Sequence, residues 1–221
     1  MAASRRAKKA YHHGDLAAAL VQAGLTLVEE EGIEAVSLRA VARRAAVSHS
    51  APYHHFSTKA ELLAAIAAGG FDRMVATIGK VAAEWQVQSP LDGLRAVGTG
   101  YLRFALANPG VFRLMFRPEL TRPSEHPVLV ESEARAFGTL LSTIVACQQA
   151  KQLPATDPRL MAAVCWSTVH GLAVLYVEQV LSETPLGELP VEQLVRYVVE
   201  AATIAPIHAP SPSPAKACAK P

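Results

Sequence analysis

Between Gly32 and Lys59 the chain opens three segments in quick succession on a serine, at Ser37, Ser48 and Ser57. A serine oxygen at such a position accepts from a backbone N–H two or three residues on and so starts a helix. Starts this close together leave room only for short helices joined by tight turns. The first, LRAVARRAA, carries an inner stripe of Leu38, Val41, Ala42 and Ala45, and the second is anchored by Phe56. Two brief helices bury little surface alone. With a third across them they make the compact unit that presents one helix to the DNA major groove.

The third helix is in place. From Asp15 to Glu31 apolar or small residues recur as Leu16, Leu20, Ala23, Gly24, Leu27 and Val28, the spacing of one helical face, and Gly32 ends it. After Ser57 the run STKAELLAAIAAGGFDRMVATIGKVAAEW predicts one long, Ala-rich helix to about Trp85, loosened at Gly69 and Gly70. Beyond Ser89-Pro90 the segments 91–108, 109–116, 127–152, 158–181 and 191–205 read as helices, several with Pro in the first turn, where its missing N–H is not needed. RPELTRPSEH, LPATD and SETPLGELP read as connections, and PIHAPSPSPAKACAKP as a disordered tail.

The expected fold is therefore all-α, an N-terminal three-helix helix-turn-helix domain followed by a C-terminal helical bundle. Its expected parts are a flexible basic arm (1–14), the helix-turn-helix domain (15–60), a connecting helix (61–89), a helical bundle (90–205) and the tail (206–221).

Apolar residues make up 51% of the chain and charged ones 18%, a balance that excludes a wholly disordered protein. The basic start MAASRRAKKAYHHGD has no apolar run behind it, and no eighteen consecutive apolar residues occur, so neither a secretory signal nor a membrane span is expected and the location expected is cytoplasmic. Cys147, Cys165 and Cys218 lie far apart without a CxxC pair, which argues against a disulfide framework or a zinc knuckle. The net charge is only +2, but residues 1–60 hold eight Lys/Arg against five acids, and Arg5, Arg6, Lys8 and Lys9 form an arm that suits phosphates or a minor groove.

SLRAVARRAAVSHSAPYHHFSTKAELL resembles the DNA-binding domain of TetR-family transcriptional regulators. The features that carry the likeness are the capping hydroxyl Ser37, the turn from Ala42 to Ser48, the ending Tyr53, His55, Phe56, and Lys59 opening the next helix. Two positions depart from that pattern. Ala46 stands where the turn glycine is usual, so alanine bears any left-handed conformation at a cost on the order of 1 kcal/mol. Pro52 stands where a bulky apolar residue is usual, and is expected to shorten or tighten the recognition helix by removing its first hydrogen bond. The resemblance implies that Tyr53, His55 and Lys59 hold phosphates. His49, Ser50, Ala51 and His54 are placed for base edges, and Ser37, Arg39 and Ser48 complete the DNA-facing set.

Among the remaining segments, Met161 to Leu181 places Trp166, His170 and Gly171 at i, i+4 and i+5, so indole and imidazole share one helix face. This is similar to the tryptophan-histidine-glycine signature of one class of TetR-type C-terminal domains. It implies a bundle that senses a small apolar or aromatic effector through Tyr101, Phe104, Phe112, Phe116, Phe137, Trp166 and His170, and that dimerises through its last two helices.

The histidines of SHSAPYHHFSTK do not suggest a metal site: His49 and His54 are five apart, and His54 and His55 are neighbours about 100° apart on a helix. No P-loop, GxGxxG or GxSxG occurs, so no catalytic residue, metal or cofactor is expected. The expected function is a ligand-responsive, homodimeric transcriptional regulator, a repressor, on a palindromic operator in double-stranded DNA, with no membrane partner. The competing readings are a constitutive DNA-binding protein without effector, and a metal-dependent enzyme.

Overall fold

In the computed structural model the chain is described over residues 13–181 and 184–204, and these hold nine α-helices and no strand, which bears out the all-α expectation. The expected basic arm, apart from its last two residues, and the expected tail with Cys218 lie outside the described residues.

The helix-turn-helix unit comprises α1 (His13–Glu31), α2 (Leu38–Arg44) and a 3-10 turn (Ala51–His54). Then come α3 (Lys59–Glu84), α4 (Pro90–Ala107), α5 (Pro109–Met115), α6 (Pro118–Thr121), α7 (Pro127–Gln149), α8 (Pro158–Val177) and α9 (Val191–Ile204). The segment RPELTRPSEH, expected as a connection, contains α6. Pro118 can start a helix because its missing N–H has no partner to lose there, and Arg122, at φ 43°, ends it after one turn.

The long helix α3 is the axis of the molecule and packs against α1, α4, α5, α6 and α7. Its inner face buries Leu62, Ile66, Phe71, Met74 and Ile78. Each such side chain contributes roughly 1.5–3 kcal/mol through loss of water contact. The expected loosening at Gly69-Gly70 does not occur: α3 is continuous, and the absent side chain at Gly70 lets α5 lie close, since a Cβ there would stand 2.7 Å from Val111 Cγ1.

A polar tie joins the helix-turn-helix unit to the bundle. Glu29, near the end of α1, accepts the Gly110 N–H at 3.0 Å and the Val111 N–H at 2.7 Å, both in the first turn of α5. Those donors have no partner within their own helix, and a carboxylate also suits the positive end of the helix dipole. The approach is this close only because residue 110 is glycine: a Cβ there would lie 2.7 Å from the Val28 carbonyl oxygen.

The apolar helix α8 buries Met161, Cys165, Val169 and Ala173. Its other face leaves Leu160, Val164, Leu175 and, just beyond the helix, Val180 uncovered, with Tyr197 of α9 64% exposed. A Cβ placed at Gly171 would meet open space, with no other helix of the described residues within 4 Å of it.

Candidate nucleic-acid interface and ligand cavity

The first hydroxyl cap forms as the sequence implies. Ser37 Oγ accepts the Ala40 N–H at 3.1 Å, and α2 buries Leu38, Ala40, Val41 and Ala42 while Arg39 and Arg43 stay exposed. Arg44 is committed elsewhere: it binds Glu30, whose carboxyl is held below its usual range by that hydrogen bond, and reaches Glu31 at 3.4 Å. This fixes the end of α2 to the end of α1.

The turn that follows is built on a strained residue. The Ala46 N–H donates to the Arg43 carbonyl, the Val47 N–H to the Ala42 carbonyl, and Ala46 sits at φ 55°. This is the pattern that usually ends a helix on glycine, here carried by alanine. The left-handed conformation costs on the order of 1 kcal/mol, borne because Val47 packs back onto the core.

Pro52 alters the recognition element more than a shortened α-helix. With no N–H at residue 52, the Ser48 carbonyl takes the Ala51 N–H at 3.0 Å, the Ser50 carbonyl takes the Tyr53 N–H, and the segment winds as a single 3-10 turn. Pro52 itself is buried, and its carbonyl accepts the Phe56 N–H at 2.8 Å. The expected Ser48 cap is not made: its hydroxyl meets Ser50 Oγ at 3.2 Å, and no side chain caps the turn. The next cap also shifts by one residue, because Thr58 Oγ1 accepts the Glu61 N–H at 3.1 Å while the Glu61 carboxylate accepts the Ser57 N–H at 2.6 Å.

Around this frame Ser37, Arg39, Ser48, His49, Ser50, Tyr53, His54 and Lys59 are exposed, and Ala51 and His55 are half-buried. His55 differs from its neighbours: its Nε2 is buried without a hydrogen-bond partner and its ring lies against Phe56, centroids 6.4 Å apart. The side chains facing outward are cations, imidazoles, hydroxyls and a phenol, groups able to donate to phosphate oxygens or meet base edges.

Within the bundle, α3, α4, α7 and α8 enclose a cavity of about 470 Å³, of a size that holds small organic ligands. Of the sequence-derived candidates, Tyr101, Phe116, Phe137 and Trp166 line it. Phe104, Phe112 and His170 do not line it; the His170 ring lies 4.4 Å from that of Phe116, which does, and 5.5 Å from that of Phe112. Tyr101 and His170 share a hydrogen bond of 2.7 Å between the hydroxyl and Nδ1. Burial pushes the Tyr101 hydroxyl far above its ordinary range. Burial likewise pushes the His170 pKa below its ordinary value.

Sequence reasoning missed two acidic residues. Glu133 of α7 lines the cavity, and Glu29 links α1 to α5. Among the described residues no three His, Cys, Asp or Glu side chains are grouped to hold a metal ion.

Residues 20–66 match the family described as "Bacterial regulatory proteins, tetR family", and residues 94–202 match "Tetracyclin repressor-like, C-terminal domain". No curated protein matches the sequence. Among solved structures, a protein of unknown function from Rhodococcus sp. RHA1 is 28% identical, covering 88% of this chain and 96% of that one at a TM-score of 0.73. A bacterial regulatory protein in the tetR family from Rhodococcus RHA1 is 20% identical, covering 86% and 98% at 0.60. The TetR family transcriptional regulator PfmR from Thermus thermophilus is also 20% identical, covering 83% and 96% at 0.59. The last two likenesses speak to the fold.

Proposed function

The chain belongs to the TetR family of transcriptional regulators, and from that premise we propose that it is a ligand-responsive repressor, acting in the cytoplasm as a homodimer on a palindromic operator. The observation that carries this reading is the reach of α3. The helix begins at exposed Lys59, beside the outward-facing turn, and later supplies Phe71, Met74 and Ile78 to the cavity wall. A ligand that prefers one placement of this helix moves the DNA-facing end with it, provided its affinity differs between the two states.

The uncovered apolar faces of α8 and α9 support the dimer. Leu160, Val164, Leu175 and Tyr197 are exposed at positions where a second copy of the same helices would cover them, and Gly171 leaves that face without a side chain. Two copies related by a two-fold axis read two half-sites, hence the palindrome.

The roles within the interface separate by substitution. Lys59→Ala should weaken binding to every sequence alike and reduce the slope of log affinity against log salt by about 1, since one phosphate contact is lost. Ser50→Ala or His54→Ala should instead change which base pairs are preferred. Anisotropy titrations on an operator and its single-base variants measure both; indistinguishable behaviour of the two kinds of variant would refute this division of labour.

A further inference from the structure

The geometry points to a lipophilic cation as the ligand of the cavity, a protonated amine on an aromatic or branched apolar body, with Glu133 as its counter-charge. The inference rests on the effector reading above and narrows it to one chemical class.

Three observations converge. Glu133 is the only acidic residue in a lining otherwise made of apolar, aromatic and small side chains, and among the described residues no Lys, Arg or His lines the cavity. Among the described residues its carboxylate makes no hydrogen bond or ion pair, and the nearest arginine along α7, Arg135, is taken up by Asp72 and Ser132, each at 2.8 Å. Another polar group of the wall is already engaged: the Tyr101 hydroxyl binds His170 Nδ1 at 2.7 Å. A half-buried carboxylate facing apolar surface is costly to leave charged and unpaired, in keeping with the upward push that burial gives its pKa. A ligand cation removes that cost.

The rest of the wall suits the same occupant. Val130, Glu133 and Phe137 lie on one face of α7, at i, i+3 and i+7. The Phe137 ring meets that of Trp166 edge-on at 6.2 Å, and Phe116 lies 6.4 Å from Trp166, so Glu133 is set beside an aromatic corner. Ring faces attract a cation within about 6 Å and repel an anion. An anionic amphiphile would place its charge among ring faces and a carboxylate with no base to receive it. A wholly neutral ligand would leave the carboxylate as it is now.

Isothermal titration calorimetry on the full chain decides between these. The probes are imipramine, a tricyclic tertiary amine protonated at neutral pH, its uncharged parent iminodibenzyl, and the anion anilinonaphthalenesulfonate. Imipramine should bind about tenfold or more tightly than iminodibenzyl, the size of one charge-assisted hydrogen bond. Glu133→Gln should remove that margin while iminodibenzyl binding stays as in the parent and the melting temperature does not fall, since the unpaired charge is gone. Unchanged imipramine affinity in Glu133→Gln, or preferred binding of the neutral or anionic probe, would overturn the cation while leaving an effector cavity standing. Binding of none of the three would overturn both.

Discussion

Gly100→Ala should destabilise the protein by about 2–3 kcal/mol, the scale of forced overpacking, which in a chain of this size lowers the melting temperature by roughly 4–12 °C. A Cβ at residue 100 would stand 2.6 Å from Ile78 Cα and 3.0 Å from Ile78 N. Both are backbone atoms, so no side-chain rotation relieves the clash, and α3 and α4 must separate along their crossing. The intrinsic helix preference of alanine over glycine, about 1 kcal/mol, works the other way and is already outweighed. Gly79→Ala is the matched control. It lies in α3 with nothing within 4 Å of its added Cβ, and should stabilise by up to about 1 kcal/mol. Equal melting shifts in the two variants would mean that α3 and α4 do not cross where described.

Glu29→Ala should lower stability by roughly 2–3 kcal/mol, because two part-buried N–H donors at the start of α5 lose a charged acceptor. The same change should reduce communication between cavity and DNA. The helix that Glu29 holds carries Phe112, and Phe116 follows at its end, where it lines the cavity. Urea unfolding reads the first effect as a lower midpoint at unchanged slope. The second is the ratio of operator affinities with and without bound ligand, which should move towards unity. Glu29→Gln, with one carbonyl oxygen in place of two carboxylate oxygens, should fall between parent and alanine. A Glu29→Ala protein with parental stability would show that other groups satisfy the α5 donors.

What could be read from the sequence was mostly local. The Ser37 cap spans three residues, and the left-handed Ala46 follows from a helix stop with alanine where glycine is usual. Helix starts at Pro109, Pro127 and Pro158 were visible for the same reason, since proline at the first turn acts on its own neighbourhood, and α4, expected from Leu91, begins one residue earlier at Pro90. Between Ser57 and Thr58 the choice of cap turned on Glu61. Thr58-Lys59-Ala60-Glu61 spells the reciprocal capping pattern, a local signal that favours the threonine over the serine before it. With Pro52 the direction was legible but not the extent, because a missing N–H can shorten an α-helix or convert it to 3-10 winding according to how the proline ring packs.

Long-range placement was not legible. Glu29, Glu30 and Glu31 look alike in sequence, yet Glu30 and Glu31 hold Arg44 whereas Glu29 reaches across more than eighty residues to α5. Glu133 reads as one more charge on an amphipathic helix. Only the packing of α7 against α3, α4 and α8 turns it towards a cavity. Phe104 and Phe112, aromatic and on the right helices, are buried without lining the cavity, and no periodicity distinguishes a lining ring from a buried one that does not line it.

The central claim, a two-fold DNA-binding regulator, is tested most directly by titrating the folded protein onto the DNA immediately upstream of its own coding sequence over a series of salt concentrations. The expected result is saturable binding with two protomers per palindrome, and a log affinity that falls linearly with log salt with the slope of several phosphate contacts. A folded dimer that fails to bind at low salt, or binds upstream and unrelated DNA with equal affinity throughout, would contradict it.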